Sequence, residues 1–466
     1  MRRIEISLLA ALATLGLASA AFADDMAAKP VLATGAAVPD CQIRDFSTLL
    51  YAGNDCGNVW RLQNYLDPGF LRNNGVTVQG WIDGGIMANP DGPHGGFNGP
   101  VGYTDRDYGQ LNQAYAYIER TAPAHNAGFF VGFRADVMFG SDSFYVVSTG
   151  LDGRRIGDKP LSATNGQTFR YGTALPQAYL EFDYNDFQLK AGHFYDIFGA
   201  ESPMARENFF YTHTNAFIFG EPTTATGVLL SKPIGPNWTV TGGVVNGWNE
   251  FIPQTKATVV GGGFSSGDGW LDNVLGSVAY HDKGVSVALN AQWGRASDFN
   301  LPGAGPYSNR ALVNIVGTVN LLSNLNYTID MLWGQQDNSL GFNALAQKSA
   351  SWAGVTQTLI YAFDNKWSAG ARVEWFDDRS GYLVTGLRPG NGDALFRFPG
   401  SFYDASLGLN YRPIPNVTLG AEIREDWSAK EGYRAPLVPG LFPNKPYDNS
   451  TKSSQFLAGI HATLQF

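Results

Sequence analysis

The chain runs to 466 residues with only 16% charged side chains, a net charge of −9, and 56 Gly, 30 Phe, 21 Tyr and 11 Trp. The acidic balance argues against nucleic acid as a partner and leans toward cations in any pore the chain might enclose. Plentiful glycine and aromatics with few charges suit a β-barrel with aromatic girdles, and also a secreted β-sandwich, so composition alone leaves both open.

The N-terminus sets the compartment. Arg2 and Arg3 precede an apolar run over 6–17, small residues end in Ala21-Phe22-Ala23, and Asp24-Asp25 follow. This order predicts a cleaved secretory signal peptide over 1–23, with cleavage after Ala20 as the alternative site. A membrane anchor is the competing reading, but the run is short of the roughly 20 residues that a spanning helix needs. No later stretch is long and apolar enough for such a helix. The mature chain is therefore either soluble and secreted or a closed barrel, since only helices and barrels satisfy every backbone group in lipid.

Residues 24–75 form an N-terminal segment, placed either on the periplasmic side or as a plug in the barrel mouth. Cys41 and Cys56 lie in it. An oxidising periplasm favours their pairing. Closing a loop of about 15 residues contributes roughly 3 kcal/mol in the chain-entropy model. A metal site is the weaker alternative, because two cysteines without nearby histidine do not complete a tetrahedral shell.

From 76 to 466 the chain alternates. Over 366–375, Trp367, Ala369, Ala371, Val373 and Trp375 share one face, and Lys366, Ser368, Gly370, Arg372 and Glu374 the other. Successive side chains of a strand point to opposite faces, so one side is oily and one wet. The stretches 286–293 and 402–412 repeat the pattern. Very short turns join the segments in pairs: Asn185-Asp186, Gly235-Pro236, Asp282-Lys283, Ser323-Asn324, Asp364-Asn365 and Pro413-Pro415. Longer Gly-, Pro- and Asp-rich stretches separate the pairs, at 89–109, 140–172, 199–222, 251–270, 297–308, 338–348, 378–399 and 428–452. Strict short–long alternation predicts an all-β, antiparallel up-and-down transmembrane barrel of about 16 strands, with short periplasmic turns and long external loops.

Aromatics mark the two interfaces. Trp248, Trp293, Trp333, Trp375 and Trp427 each follow a short turn by about ten residues of strand, enough to cross the hydrocarbon, and are expected in the outer girdle. Tyr184, Phe187, Trp238, Tyr280, Tyr327, Phe363, Trp367 and Tyr411 flank the short turns and are expected in the inner one. The final strand alternates back from Phe466 through Leu464, Ala462, Ile460 and Ala458. A terminal Phe closing such a strand resembles the signal read by the barrel-assembly machinery. The expected location is the cell outer membrane, with its lipid as the surrounding partner.

Several stretches carry a family likeness. They are Gly80-Trp81-Ile82-Asp83-Gly84-Gly85, Gln110-Leu111-Asn112-Gln113-Ala114-Tyr115, Lys190-Ala191-Gly192-His193-Phe194-Tyr195 and Asn208-Phe209-Phe210-Tyr211-Thr212-His213. With Phe219-Gly220-Glu221-Pro222-Thr223 and Asn246-Gly247-Trp248-Asn249, they resemble the β-barrel porin-2, OmpL-like family of outer-membrane proteins. The resemblance covers most of the chain from about residue 60 and implies a porin-like barrel.

Catalytic motifs are missing. The six histidines, His94, His125, His193, His213, His281 and His461, form no H-E-x-x-H spacing, and there is no G-x-S-x-G elbow or P-loop. The chain is read as no enzyme, with no cofactor and no metal. A rim enzyme, whose residues meet only in space, is the third-ranked reading.

A channel needs inward polar residues, and the alternation supplies Arg134, Asp136, Glu181, Asp183, Lys190, Asp330, Arg372, Glu374, Asp404, Glu422, Arg424 and Asp426. As lumen rings of mixed sign they would select by charge. Alternatively they pair with one another and brace the wall. A barrel of about 16 strands is too wide for side chains to fill and leaves an aqueous channel unless plugged. The third long loop, 199–222, is the expected constriction. Its aromatics gain by folding inward, and by analogy with general porins Glu201, Arg206 and Glu207 are expected at the narrowing. The leading function is passive diffusion of small hydrophilic solutes or ions. The alternative is a plugged structural or adhesive protein acting through its external loops. A homotrimer is the assembly usual for wide porins.

Overall fold

The computed structural model describes residues 62–63, 67, 69–90, 109–121, 128–152, 171–252, 270–296, 309–340, 347–384, 398–429, 445–447 and 452–466. The predicted signal peptide and the proposed Cys41–Cys56 disulfide lie outside the described residues. Among the described residues, no helix is long and apolar enough to cross a membrane.

A helical turn α1 (Phe70–Asn73) leads into the strands β1 (Thr77–Ala88), β2 (Gln110–Arg120) and β3 (Phe129–Gly140). A second turn, α2 (Ser143–Val146), precedes β4 (Gly172–Ala174), β5 (Ala178–Tyr184) and β6 (Phe187–Tyr195). Four more strands follow, β7 (Thr224–Ile234), β8 (Trp238–Val245), β9 (Asn273–Asp282) and β10 (Val285–Arg295). After them come β11 (Asn309–Leu322), β12 (Leu325–Leu340), β13 (Gln347–Ala362) and β14 (Trp367–Asp378). The last three are β15 (Gly400–Ile414), β16 (Val417–Ala429) and β17 (Ser454–Gln465).

Each strand pairs antiparallel with its sequence neighbours, and β1 pairs with both β2 and β17, so the sheet closes on itself. β4 and β5 both pair with β3 and share one stave, interrupted at Leu175-Pro176-Gln177. Pro176 brings no backbone N–H to the ladder. The result is a closed 16-strand barrel. Closure abolishes sheet edges, which lipid does not tolerate.

Local chemistry explains the hairpins. Asn185 and Asp186 take φ of 46° and 67°, and Lys283 and Gly284 take 40° and 83°. Positive φ at both central positions is the type I′ geometry that matches strand twist. The third short turn therefore sits one residue later than expected, on Lys283-Gly284. At the seam, the Phe466 N–H donates to Gly80 O at 2.8 Å and the Gly80 N–H to Phe466 O at 2.9 Å. A Cβ at Gly80 would meet the Phe466 ring at 2.7 Å, so only glycine fits beneath the terminal phenylalanine.

The faces sort as the alternation requires. On β10, Leu289 and Trp293 are 47% and 59% exposed, whereas Asn290 and Gln292 are buried. Trp293 and Trp427 stand exposed near the external ends of their strands, and Trp333 stands exposed midway along β12, which runs on to Leu340. Trp427 stacks on Tyr403, and Trp375 lies opposite Tyr403 in the ladder. Tyr184, Phe187, Trp238, Phe363 and Trp367 ring the turn side. Trp248 departs from expectation. β8 ends at Val245, the chain bends through Asn249 (φ 50°), and the indole packs edge-on against buried Trp352 beneath the Arg310 guanidinium. Its spacing from the turn placed it in the girdle, but the early end of the strand swings it inward.

Candidate pore constriction

The third long loop spans 196–223, between β6 and β7, and is drawn into the barrel. Phe209, Phe210, Tyr211, Phe217 and Phe219 are all buried. They pack where the wall has no side chains: a Cβ at Gly370 would overlap the Phe209 ring, and one at Gly408 would press on both Phe209 and Phe210.

Wall carboxylates hold the loop by its backbone. Asp330 accepts Ala200 N–H at 2.7 Å. Glu422 accepts Tyr211 N–H and Thr212 N–H at 2.8 and 3.0 Å, and the Thr212 hydroxyl at 2.6 Å. Glu374 accepts Asn215 N–H and Ala216 N–H at 2.8 and 2.7 Å. Two guanidiniums complete the comb. Arg372 donates to Thr212 O at 2.8 Å and Arg424 to His213 O at 2.7 Å. Trp352 Nε1 donates to Gly220 O at 3.0 Å. Hydrogen bonds to charged groups are roughly twice as strong as neutral ones, so this comb outweighs ordinary loop contacts.

The register explains the comb. Glu374, Asp404 and Asp426 lie directly opposite one another on β14, β15 and β16, and Arg372, Ser406 and Arg424 form the next layer. Like charges so placed would repel. The arginines and the loop amides between them neutralise the row. Arg424 pairs with Asp426 at 2.7 Å and Asp404 at 3.3 Å.

Glu201 lies inside the loop. It pairs with Arg372 at 2.9 Å and His213 at 2.8 Å and accepts Thr214 N–H. Burial alone would raise its carboxyl. The Arg372 charge and the His213 and Thr214 contacts win, and hold it at about 2.

Beyond Glu201 the loop runs on to the wall of β1 and β2, which only β17 separates from β16. Ser202 and Asn208 clasp each other, with the Ser202 N–H donating to Asn208 Oδ1 at 2.9 Å and Asn208 Nδ2 to Ser202 O at 2.6 Å. Between them sits the 3-10 turn Ala205–Glu207. The Arg206 guanidinium lies 4.6 Å over the Trp81 ring and donates to the Tyr117 hydroxyl at 3.2 Å. Its nearest carboxylate, Glu207, is 4.0 Å away. Close by, Arg134 pairs with Asp136 at 2.8 Å and Glu119 at 3.1 Å.

The predicted lining residues thus divide. Arg372, Asp404, Glu422, Arg424 and Asp426 have side chains no more than 3% exposed. With Glu374 and Asp330 they sit at the loop's anchorage. Arg134, Arg206, Glu207 and Glu201 keep 13%, 18%, 24% and 16%, and Glu119, which the sequence reading did not single out, keeps 20%. Glu181 faces Lys190 across β5–β6, Lys190 lies over the Tyr179 ring, and Asp183 is one inward position further down β5. Asp136 is buried under the Tyr115 hydroxyl and the Gln177 amide. Among the described residues, no group of three or more potential metal ligands occurs.

A closed antiparallel barrel with an oily outer face and a loop drawn into its lumen defines an outer-membrane porin. The family model described as "Putative beta-barrel porin-2, OmpL-like" matches residues 75–466, and the chain belongs to that family. No match is found among curated proteins. Among solved structures the chain is similar to an anion-selective porin from Comamonas acidovorans, with TM-score 0.52, 10% identity, and coverage of 84% of this chain and 99% of that one. The outer-membrane channel DcaP of Acinetobacter baumannii gives TM-score 0.52 at 11% identity, covering 84% and 97%. Salmonella typhi OmpF in complex with daunomycin gives 0.50 at 11%, covering 84% and 99%. At such identities the likeness bears on the fold, and the fold and family place the chain in the outer membrane.

Proposed function

We propose that small hydrophilic solutes and ions diffuse past a constriction whose movable side chains are Arg206 and Glu207, with Glu201 anchoring its edge. Arg134, Asp136, Glu181, Asp183 and Lys190 line the approach on the β3–β6 side. Asp330, Arg372, Glu374, Asp404, Glu422, Arg424 and Asp426 brace the loop instead. The observation that carries this reading is the exposure contrast between Glu119, Arg134, Glu201, Arg206 and Glu207, whose side chains keep 13–24%, and Arg372, Asp404, Glu422, Arg424 and Asp426, which keep no more than 3%. Around the opening Glu119, Asp136 and Glu207 stand against Arg134 and Arg206, an excess of one carboxylate that supports a weak cation preference. The reading is that of a channel and not of a catalyst.

Planar-bilayer recordings of the full chain in a KCl gradient test it. R206A is expected to move the reversal potential toward cations and E207A toward anions, and deletion of 202–218 is expected to raise the single-channel current. Unchanged values in all three would reject the constriction. One observation favours the plugged alternative: Tyr145 of α2 packs on both His213 and Phe217, which closes the second external loop onto the third. Folded barrels that carry no current would select it.

We also propose a homotrimer. A shallow outer groove of about 470 Å³, floored by Ala88, Ala421, Ala458 and Gly459, supports close approach of a neighbour. A monomer mass in detergent would reject it. Phe466 is proposed as the assembly signal, so its deletion is expected to lower outer-membrane yield.

A further inference from the structure

One side chain outside the constriction joins the wall to two external loops at once. Gln113 on β2 is fully buried and makes four hydrogen bonds. Its Oε1 accepts Trp81 Nε1–H at 2.9 Å and Ala205 N–H at 3.1 Å. Its Nε2 donates to Asp142 at 3.0 Å and to Pro203 O at 2.9 Å. An amide side chain has two acceptor sites and two donors, so its capacity is used up. The four partners belong to three bodies: the wall (Trp81), the turn into the second external loop (Asp142), and the third loop on the near side of Arg206 (Pro203, Ala205).

The backbone at this point is built to present it. The register of β1 and β2 shifts between Asp83 and Gly84, so that Asp83 faces Gln113 while Gly84 faces Leu111. The extra residue, Asn112, is a β-bulge, a device that re-aims side chains. Both consecutive amides then reach interior partners. Asn112 donates to Asp142 at 3.0 Å and accepts the Tyr211 hydroxyl at 2.9 Å. The Ser141 and Asp142 N–H groups donate to Leu111 O and Asn112 O, pinning the second loop on the bulge. Burial pushes the Asp142 carboxyl up, against the pull of His213 and of the two amides.

We infer that Gln113 is a positioning residue of the pore: it fixes the height and angle of the turn Ala205–Glu207, and so places Arg206 over Trp81 and Glu207 at the lumen, without itself meeting a permeating ion. This inference rests on the constriction reading above. A site held about 1 Å too loosely by its supporting contacts loses function even when every functional group is present. Without Gln113 the Ala205 N–H and Pro203 O lose their partners, while Arg206 and Glu207 keep their charges but not their places.

The test is a reversal-potential cycle on full-length channels in a KCl gradient, with Q113L, R206A and the double variant, each checked for a heat-modifiable folded barrel. Neither leucine nor glutamine carries charge, so a purely structural role leaves the selectivity of folded channels at the wild-type value. The expected result is a Q113L shift in the same direction as R206A, with no further shift when Q113L is added to R206A. If R206A moves the potential and Q113L does not, the inference is overturned and the constriction stands. If R206A itself leaves the potential unchanged, both fall together. Q113N, which keeps the amide but is too short to reach both loops, is read in the same way should Q113L not fold, and a wild-type potential there overturns the inference equally.

Discussion

Two walls of one barrel carry the same kind of sequence and do opposite things. On β14–β16 the inward charges are sealed beneath the third loop, with side chains almost inaccessible. On β1–β3 and in the turn that faces them, Glu119, Arg134, Arg206 and Glu207 stay partly open to the lumen. The first wall is dense in carboxylates, of which backbone N–H groups of the loop satisfy Glu374 and Glu422, while Arg424 balances Asp404 and Asp426. The second supplies stacked aromatics, Trp81 on Tyr115 at 3.9 Å between ring centres, on which a guanidinium rests without a full partner. One wall anchors, and the other leaves charge available for passing ions.

The sharpest way to break this contrast is to empty the anchoring wall. Glu422→Ala leaves the Tyr211 and Thr212 N–H groups and the Thr212 hydroxyl without their acceptor, and a cost of about 1–3 kcal/mol is expected for each buried donor so stranded. Urea unfolding in vesicles reads the loss, and single-channel current should rise as the loop detaches. If stability and current both stay at wild type, Glu422 is no anchor.

Next comes packing. Gly370→Ala drives a methyl into the Phe209 ring, and overpacking of this sort costs about 1–3 kcal/mol. The barrel should persist while the current changes. An identical current would mean that Phe209 has room the structure denies it.

Acid should loosen the clasp. The Glu201 carboxyl is lowered from 4.5 to about 2. A depressed carboxyl contributes stability that is fully present above its unfolded value and is lost as pH falls through the folded one. The Glu201 contribution should therefore hold above about pH 4.5 and fade toward pH 2. Denaturation midpoints across that window should fall for wild type and stay flatter for Glu201→Gln. Equal slopes would remove Glu201 from the clasp.

The smallest expected effect on stability lies on the open wall. Glu119→Gln breaks a partly exposed pair with Arg134, and pairs near water contribute about 0–1 kcal/mol. Its mark should instead be a reversal potential moved toward anions. A large stability loss would show that this pair braces the wall as its counterparts on β14–β16 do.

Much of this was legible in the chain. Alternation in 366–375 placed Trp367 and Val373 outward and Arg372 and Glu374 inward, and the turn residues Asn185-Asp186 ended strands where the backbone takes positive φ. The inward loop was legible from its aromatics. Less legible were Trp248, whose spacing suited a girdle, and Gln113, which looks on paper like any polar residue of a strand. A bulge shifts the period by one residue without leaving a mark in composition.

Period-2 alternation and turn chemistry are local, acting between residues a few positions apart, and so the sequence by itself determined the strands, their oily and wet faces and the closed barrel. Which inward charges would be covered and which would stay in water was decided only in three dimensions. Glu422 meets Tyr211 across 211 positions of chain, and Ala205 meets Gln113 across 92. No local pattern encodes such contacts, because they exist only once the wall has closed and the loop has somewhere to lie.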